Sequence, residues 1–348
     1  MDRLILHVGT MKSGTTFVQE QLYDHRDALA SQGVVVPGES WRDQVHGTLD
    51  VLGSAEKRPG AWARLLAALE GPGTGVISME FFASASAADA VRVVESLSVP
   101  VHVVVTARDL NQQLPAMWQE TLRNGATWRW GAYLAGAKAG RPYGGGGLRN
   151  PVDTPTGRNF WDQQDLVRIT RIWRDAAGGA LTLITTPART SPPDELWRRF
   201  AGVVGFDPAG MEPGPRRNES MGAASAEVLR RSNEIFNEHG LPFPAGRRPR
   251  KERLAKKVLS THRAAEPAIG LHTPGWVRKT SAAQIAALAG MDLAVVGDLA
   301  SLEPVDVPGI DPDQVDQGAV AEAATHALVN WMMPNVLKGI AEQTKEPR

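Results

Sequence analysis

The sequence predicts an α/β fold, a parallel sheet flanked by helices, followed by a mostly helical C-terminal extension. Short apolar runs alternate with helical patterns through the first half of the chain, the alternation that builds parallel sheets. Residues 101–106 form its most strongly β-branched run. After Asp207 the patterns are almost all helical.

In order, residues 4–8 read as a buried strand. Residues 15–30 read as a helix, with Phe17, Val18, Gln21, Leu22 and Leu29 near one face. Residues 34–36 form a short strand closed by Pro37-Gly38. Residues 62–69 are helical, 75–79 a strand, 87–97 a helix and 101–106 a strand. Residues 124–160, with Gly144-Gly145-Gly146-Gly147 and scattered Trp and Tyr, lack periodicity and read as a long loop or substrate-side insertion. Residues 161–176 are helical, and 181–185 are expected to be the last core strand. Helices follow at 223–238, 250–262, 282–289 and 315–340. The expected organisation is one domain over residues 1–348. It comprises an α/β core at 1–206, with the insertion at about 124–160, and a helical extension at 207–348.

Hydrophobic residues make up 42% of the 348, enough for a substantial core. Lys plus Arg and Asp plus Glu each total 38, so the net charge is zero. That argues against nucleic-acid binding by bulk charge, though not against a local basic pocket. With no cysteine, disulfides, thiolate metal sites and a Cys nucleophile are excluded. The N-terminal apolar run is too short for a signal sequence, and no stretch of 18 apolar residues occurs, so no membrane span and a cytoplasmic location are expected.

The sharpest motif runs from His7-Val8-Gly9-Thr10 through Met11-Lys12-Ser13-Gly14 to Thr15-Thr16. A strand enters a glycine-containing turn and then a helix, an arrangement that offers backbone N–H groups to an anion. Gly9 and Gly14 have the spacing of a nucleotide-binding P-loop. In that motif the lysine directly follows the second glycine. Here Thr15 follows Gly14, and the lysine lies two residues before it. A second signal is Arg108, just past the carboxyl end of the β-branched run, at the ligand edge of a parallel sheet. Its planar fork suits a terminal phosphate.

The Lys12-Ser13-Gly14-Thr15-Thr16 run and Arg108 resemble the donor site of sulfotransferases that use PAPS (3′-phosphoadenosine 5′-phosphosulfate). The resemblance implies a P-loop-like α/β fold. It also implies that Lys12, Ser13, Gly14, Thr15 and Thr16 bind the 5′-phosphosulfate and that Arg108 binds the 3′-phosphate. Weaker likeness extends over Phe160-Trp161-Asp162-Gln163-Gln164-Asp165, Trp173, Leu183-Ile184-Thr185-Thr186-Pro187, Arg217-Asn218-Glu219-Ser220-Met221 and Val295-Val296-Gly297-Asp298-Leu299. Two departures stand out. The family's 3′-phosphate serine, eight residues after the arginine, is Ala116 here, with Gln112 and Gln113 as candidate replacements. The R-K-G-x-x-G-D-W element of eukaryotic members is absent, and Arg247-Arg248-Pro249-Arg250-Lys251 either serves that anion or begins a helix.

Sulfuryl transfer rests on positioning and charge stabilisation, and the acceptor must lose a proton to a base. Lys12 is the expected electrostatic catalyst, and no metal is expected. Glu80, after the strand at 75–79 and beside Phe81-Phe82, is the first candidate base. His46, expected in a polar turn, is the second. His7, inside the first strand, reads as a packed histidine. Trp118, Trp128 and Trp130 either line a pocket for a small-molecule or carbohydrate acceptor or pack as core. Two other readings stay open: a P-loop small-molecule kinase, and a non-catalytic protein that binds PAP (adenosine 3′,5′-bisphosphate) or another nucleotide.

Overall fold

The computed structural model describes residues 1–142, 153–214, 220–241, 243 and 247–343. Gly144 to Gly147 and Arg217-Asn218-Glu219 lie outside the described residues. The chain divides into two compact units. Met1–Gln113, Ala139–Pro215 and Gly275–Pro304 make the first; Leu114–Lys138, Arg216–Pro274 and Val305–Arg348 make the second.

The first unit is built on six strands: β1 (Arg3–His7), β2 (Val34–Val35), β3 (Thr74–Ser78), β4 (Val101–Ala107), β5 (Leu181–Thr185) and β6 (Ala294–Val296). They form one sheet in the order β2-β3-β1-β4-β5-β6, parallel throughout. Side chains alternate across it with the two-residue period of a strand. Leu4, Leu6, Val103, Val105 and Leu183 pack with Val93, Ile169, Trp173 and Leu288 on one face. Ile5, Val76, Val104 and Ile184 pack with Val18, Leu22, Trp197 and Phe200 on the other. Both faces are covered, which is why these strands read as continuous apolar runs.

Connections from β1 lead to one side of the sheet and those from β4 to the other, so chain order reverses between these two neighbours. The carboxyl ends of such a pair flank a crevice. The loops that leave them carry Lys12 and Arg108.

Several expected elements differ. β5 is not the last strand, because Ala294–Val296, too short to stand out among helices, pairs beside it. The helix expected at 15–30 is two, Thr15–Asp24 and Arg26–Ser31, divided at His25. The helix expected at 161–176 is also two, Pro155–Gln164 and Leu166–Ala176. Asp165 interrupts it because its side chain accepts from Arg168 N at 3.1 Å and caps the second helix. Within the presumed loop at 124–160 lie the helix Trp130–Ala139 and the start of Pro155–Gln164, the latter announced by Thr154 as N-cap and Pro155 at the first position. The basic run at 247–251 leads into a π-helix, Arg248–Val258.

Within the second unit, Trp118 and Trp130 meet edge to face at 5.4 Å, and Trp128 and Trp130 both stack on Tyr133. Trp118 Nε1 donates to Trp128 O at 2.9 Å. Trp118 and Trp130 are buried and pack as core, whereas Trp128 is half-buried. No helix among the described residues is long and apolar enough to cross a membrane.

Candidate functional site

Beyond His7 the chain extends the ladder briefly: Val8 N donates to Val104 O at 3.0 Å and Thr10 N to Thr106 O at 2.8 Å. It turns through Gly9 (φ 94°), Lys12 (φ 62°) and Gly14 (φ 93°), then enters the helix Thr15–Asp24, which has no side-chain N-cap. A Cβ at Gly9 would lie 3.2 Å from Glu80 Cα, and one at Gly14 only 2.4 Å from Leu196 Cδ2. Lys12 carries a side chain in the left-handed region, at a cost of order 1 kcal/mol.

Every carbonyl from Gly9 to Gly14 is tied back. Gly9 O accepts from Thr106 N at 2.7 Å, and Gly14 O from Val18 N at 3.1 Å. Thr10 O accepts from Ser13 Oγ at 2.6 Å, and Met11 O from Gln164 Nε2 at 2.8 Å. Lys12 O accepts from Arg108 Nη1 at 3.4 Å, and Ser13 O from Thr186 Oγ1 at 3.1 Å. In a planar trans peptide the N–H that follows each carbonyl points the opposite way. The amides of Met11 to Thr15 therefore face away from their tethers. Such an array at a helix N-terminus suits an anion.

Beneath the loop runs a buried chain of hydrogen bonds whose direction is fixed by its end. Ser13 Oγ donates to Thr10 O, so it accepts from Thr106 Oγ1 at 2.7 Å. Thr106 in turn accepts from His7 Nε2 at 3.1 Å, and His7 Nδ1 accepts from Ser78 Oγ at 2.7 Å. The ring is thus the neutral Nε2–H tautomer, fully buried and satisfied at both nitrogens. Burial pushes its pKa down to about 3.

A stability prediction follows from that shift. In the unfolded chain His7 protonates near about 6.5, so between there and 3 the unfolded state binds more protons than the native one. Its neutral form contributes stability that is fully present above pH 6.5 and is lost as pH falls towards 3, by roughly 1 kcal/mol per pH unit. Urea denaturation at pH 7, 6 and 5 should show a steeper loss for wild type than for His7→Gln. Equal slopes would remove His7 from the balance.

Arg108 follows β4 and is half-buried. Its Nη2 also bonds Gln112 Oε1, while Gln112 N donates to Asp109 Oδ1 at 3.0 Å. Gln113 Nε2 reaches Thr10 Oγ1 at 3.4 Å. Both glutamines thus belong to the loop's surroundings. Burial lowers the Arg108 pKa, Asp109 opposes that effect, and the nearby positive charge of Arg189 adds to it. The guanidinium stays charged at any ordinary pH, so the shift registers a cation that an anion would relieve.

Glu80 opens a 3₁₀ turn, Glu80–Ser84, against the Gly9 side of the loop. Gln19 Nε2 bonds both Glu80 Oε2 at 2.6 Å and Ser78 O at 3.1 Å. His46 is not in a polar turn. It lies in the helix Trp41–Val51, which a Ser40–Asp43 capping box begins. Gln44 of that helix accepts from Ser78 N at 2.8 Å, tying it to the end of β3. The His46 Nδ1 atom is buried with no hydrogen-bond partner. Burial lowers its pKa, as do Arg58 and Arg42, against Asp43.

The structure thus brings Lys12 to Thr16, Arg108 and Glu80 together and sets the His46 helix against the adjacent strand end. Sequence reasoning missed Gln19 and Arg189, and it named Gln164 and Thr186 only within runs of weaker likeness, with no role at the loop. Thr186 and Arg189 follow the carboxyl end of β5, a position that could have marked them; the two glutamines sit within helices and carry no such signal. Among the described residues no group of three or more His, Asp or Glu could hold a metal ion.

Fold and site together define an open parallel α/β protein with a glycine-bracketed strand-to-helix loop at the carboxyl edge of its sheet. No family model, curated protein or solved structure matches the chain.

Proposed function

We propose that the chain is a PAPS-dependent sulfotransferase acting on a hydroxyl or amine of a small-molecule or carbohydrate acceptor. The carrying observation is the loop whose six carbonyls are all tied back, with Lys12 inside it and Arg108 bonded to it. Thr15 stands where a kinase loop needs its lysine, which favours this reading over a small-molecule kinase.

PAPS supplies the sulfuryl group: its sulfur–oxygen bond to the 5′-phosphate breaks as the acceptor's bond to sulfur forms, and PAP leaves with the electron pair. The amides of Met11 to Thr15, with the hydroxyls of Thr15 and Thr16, would hold the 5′-phosphate. Lys12 would stabilise charge growing on the leaving oxygen. Arg108, with Arg189 nearby, would bind the 3′-phosphate. Glu80, positioned by Gln19, would take the acceptor's proton.

Calorimetric titration with PAP, ADP and ATP·Mg²⁺ tests the donor site. Micromolar PAP binding with weak ATP binding is expected; preference for ATP·Mg²⁺ would replace the proposal with a kinase. Once an acceptor is found by screening, Glu80→Gln should lower turnover about 10²–10⁴-fold with PAP affinity unchanged. Unchanged turnover in Glu80→Gln would transfer the base role to His46.

A further inference from the structure

The helix Gln317–Gln343 changes character along its length. Val320, Ala323 and Ala327 are buried, and Arg253 holds Trp331 from both sides of its chemistry, bonding Trp331 O at 2.8 Å and lying 4.1 Å from the ring centroid. Beyond Trp331 each of Met332, Met333, Pro334, Val336 and Leu337 is exposed. The exposed side chains are large and apolar: Leu328 60%, Val329 49%, Met332 51%, Met333 41%, Val336 48% and Leu337 58%. Their spacing, in pairs four residues apart, places them along one side of the helix.

Water is a poor environment for this segment. Pro334 removes one of the helix's hydrogen bonds and weakens it there. Single exposed apolar residues need no explanation, whereas a contiguous stripe marks an interaction surface.

We infer that the stripe is a homodimer interface in which two copies of this helix pack side by side across a two-fold axis. Area is one argument: the six residues are 41–60% exposed, on the order of 600 Å² in all, a patch of the same scale as the ~800 Å² per partner of a standard interface. Charge is the other. Residues 323–337 contain no Asp, Glu, Lys or Arg. A stripe without charge offers nothing to a charged partner and lacks the Lys/Arg-rich polar face of helices that lie on membranes. It is compatible with itself, since a two-fold contact presents the same patch twice.

The test is mass measurement by light scattering on the full chain at tens of micromolar, beside Leu328→Glu/Met332→Glu. The expected result is a dimer for wild type and a monomer for the variant, with circular dichroism and melting of the sheet core retained. Because the natural chain has no cysteine, Met332→Cys and Val336→Cys give a second reading: mild oxidation should yield a disulfide-linked dimer from at least one of them. A monomeric wild type with no cross-link overturns the inference. So does a dimer that survives the double substitution, or a monomer that instead sediments with phosphatidylcholine vesicles.

Discussion

On the proposed sulfotransferase reading, Lys12→Met should lower the rate of sulfuryl transfer about 10²–10³-fold, the loss typical of removing one preorganised transition-state donor. PAP affinity will fall far less, about 3–10-fold, because the backbone amides of the loop remain. The asymmetry is the diagnostic feature. A lysine serving only ground-state binding would move affinity and leave the single-turnover rate alone. Lys12→Gly adds a stability reading. The φ of 62° suits glycine, and relief of left-handed strain, less glycine's extra chain entropy, should raise stability by about 0.5–1 kcal/mol. A more stable, inactive protein in urea denaturation and turnover assays is therefore expected. A Lys12→Gly chain less stable than wild type would mean that the side chain, not the anion, justifies that backbone.

On the same reading, Arg108→Ala should weaken PAP binding about 10²-fold, consistent with loss of charge-assisted hydrogen bonds worth roughly 1.5–3 kcal/mol. Adenosine 5′-phosphate, which lacks the 3′-phosphate, should lose no more than about 3-fold, through the released Lys12 carbonyl tether alone. Arg108→Lys should recover little, because a point charge cannot reproduce the fork that holds the Lys12 carbonyl and Gln112 together. Arg189→Ala, at an exposed residue, should cost about 3–10-fold and fade with added salt. Equal losses for both nucleotides in Arg108→Ala would assign the arginine to the loop's architecture rather than to the 3′-phosphate.

The sheet was readable because its strands are covered on both faces and so spell uninterrupted apolar runs; residues 101–106 mark β4 to within one residue. The loop was readable because Gly9 and Gly14 occupy positions where side chains collide with Glu80 or Leu196. Boundaries set by single polar side chains were not. Asp165 splits a helix with one capping bond, and the helix bearing His46 begins at a Ser40–Asp43 box in a segment read as a turn. β6 escaped because three residues carry no period. The tethers from Gln164 and Thr186 were hidden for a different reason: each spans more than 150 residues, and nothing local in a glutamine or threonine names so distant a partner.

The tied carbonyls also set the thermodynamic character of binding. The loop is anchored by groups from β4, from the segment after β5 and from the helix Pro155–Gln164, so its shape is fixed when the sheet forms. Its ordering entropy is charged to folding rather than to ligand capture. An anion entering the proposed site would meet dipoles already aligned, and what it would give up is mainly its own hydration and freedom of motion.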